Sequence, residues 1–549
     1  MPALADLLSS ARASYARRDW PDAYDGLKAA QQNATLSADD LHALADAAWW
    51  LGLIKETLTI TEDCHRHFLE EGRPLRAAMN ALDIGFTWLL RGEVAIGSGW
   101  VSRARRLLED QPECAERGFL AWIDAAEALE GGDLDSALVG AVRIQELGHQ
   151  FETPTLVCLG LVLEGMIAIR HGQVDKGFAM LDEAMLPVLA GRVPPEWAGN
   201  IYCQLMTVCH DLADVRRARQ WTAATERWCD SFASAVMFVG VCRIHRIQLL
   251  QLHGDWMRAE QEASIACEEL ADMNVSVVAE AHYQLAELRM LRDDLVGAEE
   301  SYQRAGGLGR NPQPGFALLH LHLGRTAEAA ASIRTALADS TNRPFHRARL
   351  LVAQVEIALS RDEIAVAVVA CRELDDIART YATAGFRAWA GHARGAVLLA
   401  QGHADEGLRV LRHAFALYCD MEAPYEAAAV RSLRARAYGL LGDREAAALE
   451  WEAAAATYAQ LGAALQIRRG AETSSRAVLP GGLTAREIEV LAYIAGGATN
   501  QEVAAALFIS QKTVARHLAN IFVKLGLTSR TAAAAWAHEH RLTRRRTGT

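Results

Sequence analysis

The chain has 549 residues, a formal net charge of −12, 23% charged and 51% hydrophobic residues, with Gly 41 and Pro 13, which excludes collagen-like and disordered classes and supplies ample material for a core. The longest apolar stretch, around Leu156 to Ile169, contains Glu164 and falls short of the roughly 20 clean residues a membrane span needs. Acidic and polar residues near Met1 to Ser14 leave no cleavable apolar core, and ten cysteines lie scattered without a CxxC, so reduced thiols and a cytoplasmic location are expected.

Taken in chain order, the sequence is first a series of repeats. A small or polar residue, often Gly, is followed by Asp or another polar residue, an apolar residue, two variable positions, and Ala or Gly. Gly132-Asp133-Leu134 with Ala137 and Gly254-Asp255-Trp256 with Ala259 are examples. The first position recurs at 18, 52, 92, 132, 172, 213, 254, 293, 324, 362, 402 and 442, in steps of 31 to 41 residues. Each such anchor separates two amphipathic stretches long enough for a helix, with Gly or Asp making the turn and the small residue allowing close helix approach. Helical hairpins at this period stack into a solenoid, because one hairpin cannot bury its own apolar face. The pattern resembles the tetratricopeptide repeat, lengthened by about six residues over that family's ~34.

One step is irregular. Gly306 to Gly315 holds four glycines and two prolines, which cannot continue a helix. A break there is expected to divide the solenoid into an N-terminal arm, 1–310, and a C-terminal arm, 311–470. Residues 471–482, rich in Ser, Gly and Pro, read as a linker.

The final 67 residues differ in charge. Leu483 to Thr549 carries nine Lys/Arg against four Asp/Glu, a balance of +5, while the preceding 482 residues carry −17. An acidic body with a basic tip implies that only the tip meets a polyanion. Thr484-Ala485-Arg486-Glu487 and Thr499-Asn500-Gln501-Glu502 have the spacing of capping boxes. Ser510 is placed to cap a third helix to about Leu525, ended by Gly526, and Ser529 a fourth through Ala532, Ala535 and Trp536. On the third helix Val514, Leu518, Ile521 and Leu525 form a core stripe. Lys512, Arg516, Ala519 and Val523 form a slim exposed stripe suited to a major groove. Thr513, His517, Asn520 and Lys524 run beside it, placed for phosphates or for bracing neighbouring helices.

These residues resemble the LuxR-type C-terminal DNA-binding domain. The resemblance rests on Leu483-Thr484-x-Arg486-Glu487-x-Glu489-Val490-Leu491, Gly497-x-x-Asn500-x-Glu502-Val503-Ala504, Ser510-x-Lys512-Thr513-Val514-x-x-His517-Leu518-x-Asn520-Ile521-x-x-Lys524-Leu525-Gly526, and Ser529-Arg530. It implies a four-helix domain over 483–540, a basic tail at 541–549, a third helix that reads the major groove, and a fourth that pairs two copies. It assigns Gln511, Lys512, Thr513, Arg516, His517, Asn520 and Lys524 to the DNA-facing part. Ala515 and Ala519 stand where many members carry base-reading residues, which leaves Arg516 as the main direct reader. The whole chain resembles large actinobacterial LuxR regulators with tetratricopeptide-like repeats. It lacks the phosphate-binding Gly-x-x-x-x-Gly-Lys-[Ser/Thr] loop of relatives with an ATPase module.

Other candidate chemistry is sparse. Cys64-His65-Arg66-His67 and Cys242-x-x-His245 lack the second ligand pair of a closed zinc site, and no metal or cofactor is expected. Cys203, Cys209, Cys229 and Cys242 fall in adjacent repeats but suit helix packing. Trp49, Trp50, Trp88 and Trp256 read as stacking residues. Arg243 and Arg246 are candidates for an acidic peptide or small anion. No catalytic constellation stands out, so an enzyme is not expected.

The fold expected is all-α, a tetratricopeptide-like solenoid followed by a four-helix helix-turn-helix domain. The function expected is a sequence-specific DNA-binding transcription regulator. Its partners are double-stranded DNA, RNA polymerase, a second copy as homodimer, and a protein, peptide or small-molecule effector in the solenoid groove. A protein-interaction scaffold that docks on other regulators without reading DNA is the alternative.

Overall fold

A computed structural model describes residues 4–232, 236–340, 344–464, 466–467, 483, 485–507, 509–540 and 542. Among these residues all regular structure is helical, and the chain divides into two compact units, Met1–Ala463 and Ala464–Thr549. No helix among them is long and apolar enough to cross a membrane. The linker at 471–482 and Thr484 lie outside the described residues, as does the tail at 541–549 apart from Leu542.

The first unit is a run of helical hairpins. They begin with α1 (Leu4–Ala16) and α2 (Trp20–Gln31), α3 (Ala38–Trp50) and α4 (Ile54–Glu70), α5 (Pro74–Leu90) and α6 (Val94–Glu109), α7 (Glu116–Gly131) and α8 (Leu134–Gln150). There follow α9 (Pro154–Arg170) and α10 (Val174–Leu189), α11 (Pro195–Asp211) and α12 (Val215–Cys229), α13 (Val236–His253) and α14 (Trp256–Glu269), α15 (Val275–Leu291) and α16 (Leu295–Gly307). The last four pairs are α17 (Gly315–His322) and α18 (Thr326–Asp339), α19 (Pro344–Ser360) and α20 (Ile364–Tyr381), α21 (Ala384–Ala400) and α22 (Ala404–Asp420), α23 (Pro424–Leu441) and α24 (Arg444–Leu461). Residues 308–314 are non-helical, and α17 after them has only eight residues.

Each anchor is the left-handed residue at the turn of one hairpin. Gly132 has φ +85; its N–H donates to the Leu129 carbonyl at 3.1 Å and the Asp133 N–H to that of Ala128 at 2.9 Å. This Schellman closure satisfies the last carbonyls of α7. The Asp133 carboxylate then caps α8, accepting from the Ser136 N–H at 3.1 Å. Arg18, Ala213, Asp293 and Asp362 hold the same left-handed backbone without being glycine, at φ +51 to +71, against a cost of ~1–2 kcal/mol for an L-residue. The tight hairpin therefore dictates the anchor's conformation even where the residue does not favour it.

The small residue five places on is where the two helices meet. Ala23, Ala137, Ala259, Ala298, Ala329 and Ala367 are fully buried. At Gly177 an added Cβ would sit 2.5 Å from both the Gly165 carbonyl oxygen and the Ile169 side chain.

The hairpins wind tightly enough for successive turns to touch. Helix α13 contacts both α3 and α23, first helices that lie five hairpins before and after it, so five hairpins make one turn. The Trp50 ring stacks on Trp20 at 5.1 Å and meets Phe232 at 5.2 Å and Phe238 at 5.5 Å. Polar links cross the same seam: Arg91 donates to the Asp272 carbonyl at 2.6 Å, and Arg219 pairs with Glu422 at 3.1 Å. Asp83 and Glu196 are exposed, yet the protein around them, helped by repulsion from Asp46, pushes both carboxyls up to about 7.

The second unit contains α25 (Ala485–Ala495), α26 (Asn500–Leu507), α27 (Gln511–Leu525) and α28 (Arg530–Glu539). Leu483, Val490, Leu491, Ile494, Val503 and Val514 are among its buried core, joined by Leu518 and Ile521 from α27.

Candidate nucleic-acid interface

Local chemistry fixes each helix of the second unit. Thr499 and Glu502 form a reciprocal capping box, with the Thr499 N–H donating to Glu502 at 2.6 Å and the Glu502 N–H to Thr499 Oγ1 at 3.3 Å. Ser510 caps α27 by accepting from the Thr513 N–H at 3.1 Å, and Ser529 caps α28 by accepting from Ala532 at 3.1 Å. At the other proposed box, Glu487 is 2% exposed and accepts from Lys524 Nζ at 2.7 Å, so it ties α25 to α27. On α28 the buried positions are Ala533 and Ala537, with Ala532 and Trp536 half-buried and Ala535 exposed.

Burial of Val514, Leu518 and Ile521 sets the orientation of α27. The opposite side presents Gln511, Lys512, Arg516 and Asn520, all exposed, with Ala515 and Ala519 between them and Val523 83% exposed. Among the described residues neither Lys512 nor Arg516 has an ion-pair partner, and α27 contains no acidic residue. The face therefore carries positive charge, donors and small side chains, with nothing on the helix to repel a phosphate backbone.

The other predicted residues are placed differently. Thr513 is half-buried, its hydroxyl 2.8 Å from that of Ser510. His517 is half-buried, and burial lowers its pKa, with Glu487 opposing and Arg486, Arg516 and Lys524 reinforcing. Lys524 is held by Glu487 and so braces two helices. The sequence had offered it both bracing and phosphate contact.

Two further braces were legible only as motif letters. Arg486 donates to the Leu507 carbonyl at 2.6 Å and pairs with Glu489 at 2.5 Å. Arg530 donates to Asn500 Oδ1 at 2.8 Å and to the Ala498 carbonyl. Their chain separation hides the pairing; their signal was the joint presence of Asn500 and Arg530 at helix starts.

In the body, the residues that suggested ligand chemistry are turned to the scaffold. Cys64 donates to the Ala38 carbonyl at 3.2 Å and His65 to that of Ala77 at 2.8 Å. Cys242 Sγ lies 3.9 Å from Cys229 Sγ, and the contact with Cys229, followed by burial, pushes its thiol up. Arg243 pairs with Glu262 at 3.3 Å and Glu269 at 2.6 Å; Arg246 pairs with Glu226 at 3.1 Å and Glu262 at 2.5 Å. These arginines, candidates for an anionic ligand, are engaged by carboxylates of their own hairpin and, through Glu226, of the preceding one. Trp256 is buried against Tyr425 at 5.6 Å. Among the described residues no group of three or more His, Cys, Asp or Glu is arranged for a metal ion.

Residues 482–537 match the family model described as bacterial regulatory proteins, luxR family. The "Transcriptional regulatory protein LiaR" of Bacillus subtilis is 50% identical over 60 residues, 11% of this chain and 28% of that protein. The "CsgBAC operon transcriptional regulatory protein" of Escherichia coli is 47% identical over 58 residues, 11% and 27% of the two chains. The present chain thus spans under a third of the length of these curated relatives. Over the body, a solved Rap protein complexed with Competence and Sporulation Factor aligns at TM-score 0.38 and 12% identity, covering 70% of this chain and 98% of that one.

Proposed function

We propose that this chain, whose residues 482–537 form a LuxR-family DNA-binding domain, is a sequence-specific transcription regulator governed by its helical-repeat body. The observation that carries the reading is the exposed stripe of Gln511, Lys512, Arg516 and Asn520 on α27, rigidly backed by Val514, Leu518 and Ile521. Arg516 is the direct base reader, with guanine its natural partner. Lys512 and Gln511 hold the phosphate backbone at the helix start, Thr513 supports the cap, and His517 and Lys524 position α27. Two copies act as a homodimer in the cytoplasm, on half-sites about one helical turn apart, and RNA polymerase is a further partner.

The body, with arms 1–310 and 311–470, receives the signal. An effector there changes DNA binding only through unequal affinity for the two states of the chain. Selection of bound sequences from random duplex DNA tests the reading, comparing the full chain with residues 471–549. Enrichment of a common motif by the fragment, altered at one base pair by Arg516→Ala, is the expected result. If neither enriches a motif, the domain docks on other proteins instead.

A further inference from the structure

The body contains a half-enclosed cavity of about 90 Å³ where two superhelical turns meet, room for roughly three waters or one small organic molecule. Its walls come from α11 to α13 on one turn and from α19 and α21 to α23 on the next. Both turns are needed to close it.

Its lining contains opposite charges that do not neutralise each other. Glu426 reaches the cavity with one carboxyl oxygen, Oε2, buried and without a hydrogen-bond partner. Burial pushes its carboxyl up to about 7, opposed only by a backbone N–H, so no cation compensates it. Arg349 lines the same cavity with its guanidinium 5.5 Å from the Trp389 ring centroid. Its charge also reaches Glu287, but that carboxylate already accepts from the Tyr302 hydroxyl. His210 adds a buried Nε2 with no partner, on an imidazole that burial holds neutral. Leu249, Leu252 and Met421 make the remaining wall apolar.

Buried polar atoms without partners are costly, and the convergence of two of them, Glu426 Oε2 and His210 Nε2, with the exposed Arg349 on one cavity points to an occupant that supplies what they lack. We propose that this cavity binds a small zwitterion, a free amino acid with a short side chain, with its ammonium group on Glu426 and its carboxylate on Arg349. The apolar wall takes its side chain, and His210 adds one hydrogen bond. This rests on the reading of the body as the sensing part, and names the class of molecule sensed. An occupant that touches both turns favours the state in which they are packed together.

The test uses the full chain. Thermal unfolding is followed with glycine, alanine, serine and valine, and calorimetry is run on any that raise Tm. Propionate, which has no amine, and ethylamine, which has no carboxylate, are the controls. The expected result is stabilisation by at least one zwitterion and by neither control, with Glu426→Gln and Arg349→Met each weakening binding by more than about tenfold. Absence of binding by every zwitterion overturns the proposal, as does equal binding of propionate that is unaffected by Glu426→Gln. DNA affinity is measured in parallel: a zwitterion that binds but leaves it unchanged keeps the site and removes the sensing role. Intact DNA binding without any zwitterion binding removes the site and keeps the DNA reading.

Discussion

The hydroxyl of Thr383 donates to the backbone carbonyl of Leu212 at 2.6 Å, across 171 residues of sequence. The same oxygen accepts from the Phe386 N–H at 3.4 Å and so caps α21. One buried side chain thereby starts a helix and fastens it to the preceding superhelical turn. Thr383→Val should lower body stability by about 1–3 kcal/mol, the cost of a lost cap together with an unmatched buried carbonyl. Thr383→Ser should retain most of it. Urea unfolding of the three proteins decides, and equal midpoints would show that the link contributes nothing.

The anchors make a paired prediction. At Gly402 φ is +83 and an added Cβ would meet nothing within 4 Å, so Gly402→Ala should cost only the left-handed backbone term of about 1–2 kcal/mol. Asp362 is exposed and already strained at φ +59; Asp362→Gly should be neutral or stabilising by up to about 1 kcal/mol. Opposite signs in chemical denaturation are the expected result.

In the DNA-binding unit, position and readout should separate. Lys524→Met takes the cation from Glu487, which is 2% exposed. It should destabilise the unit by about 2–3 kcal/mol, less than a fully buried pair would lose because Lys524 is partly solvated. Arg516→Ala should leave stability unchanged, cost about 1–3 kcal/mol at the selected DNA site, and relax preference at one base pair. Unchanged sequence preference in Arg516→Ala would remove it from the groove.

The interior carboxyls make stability depend on pH. The protein packed around them raises Asp83, Glu196 and Glu426 to about 7 from ordinary values of 3.8 for Asp and 4.5 for Glu. Around the first two stand Asp46, which opposes ionisation of both, and Asp83, which opposes that of Glu196, while Arg76 favours ionisation of Asp83 and Arg18 that of Glu196. A raised folded pKa means that the folded state holds these protons more tightly than the unfolded chain. The stabilisation is therefore complete below the ordinary carboxylate range and is lost as pH rises through about 7. Tm of the body should fall between about pH 4 and pH 7, the window between the ordinary and the raised values. The double variant Asp83→Asn with Glu196→Gln should flatten that slope, and an unchanged slope would assign it elsewhere.

Much of this was legible in the sequence because it is local. Twelve anchors placed by the turn motif are the left-handed residues at the turns within the twelve hairpins: a short motif carries both the turn and the close approach of its helices. The alternation of apolar positions on α27 likewise determined which side of that helix is buried, and hence which side Arg516 shares with Lys512. On the alanine-rich α28 the sequence singles out no buried stripe, and the burial of Ala533 and Ala537 was decided by packing. Alanine carries too little apolar area for its neighbours to be told apart.

Tertiary structure decided the rest, because those contacts join residues that no sequence window contains. Repeat spacing predicts stacking of neighbours, but the number of hairpins per turn follows from small rotations accumulated over five of them. That winding brings Thr383 to Leu212, Trp50 to Phe238, and Glu426 into one cavity with Arg349. It also decided which charges were spent internally: Arg243 and Arg246 on carboxylates of their own repeats, and Lys524 on Glu487. A sequence states which charges exist, while only packing determines which find a partner close enough to neutralise them.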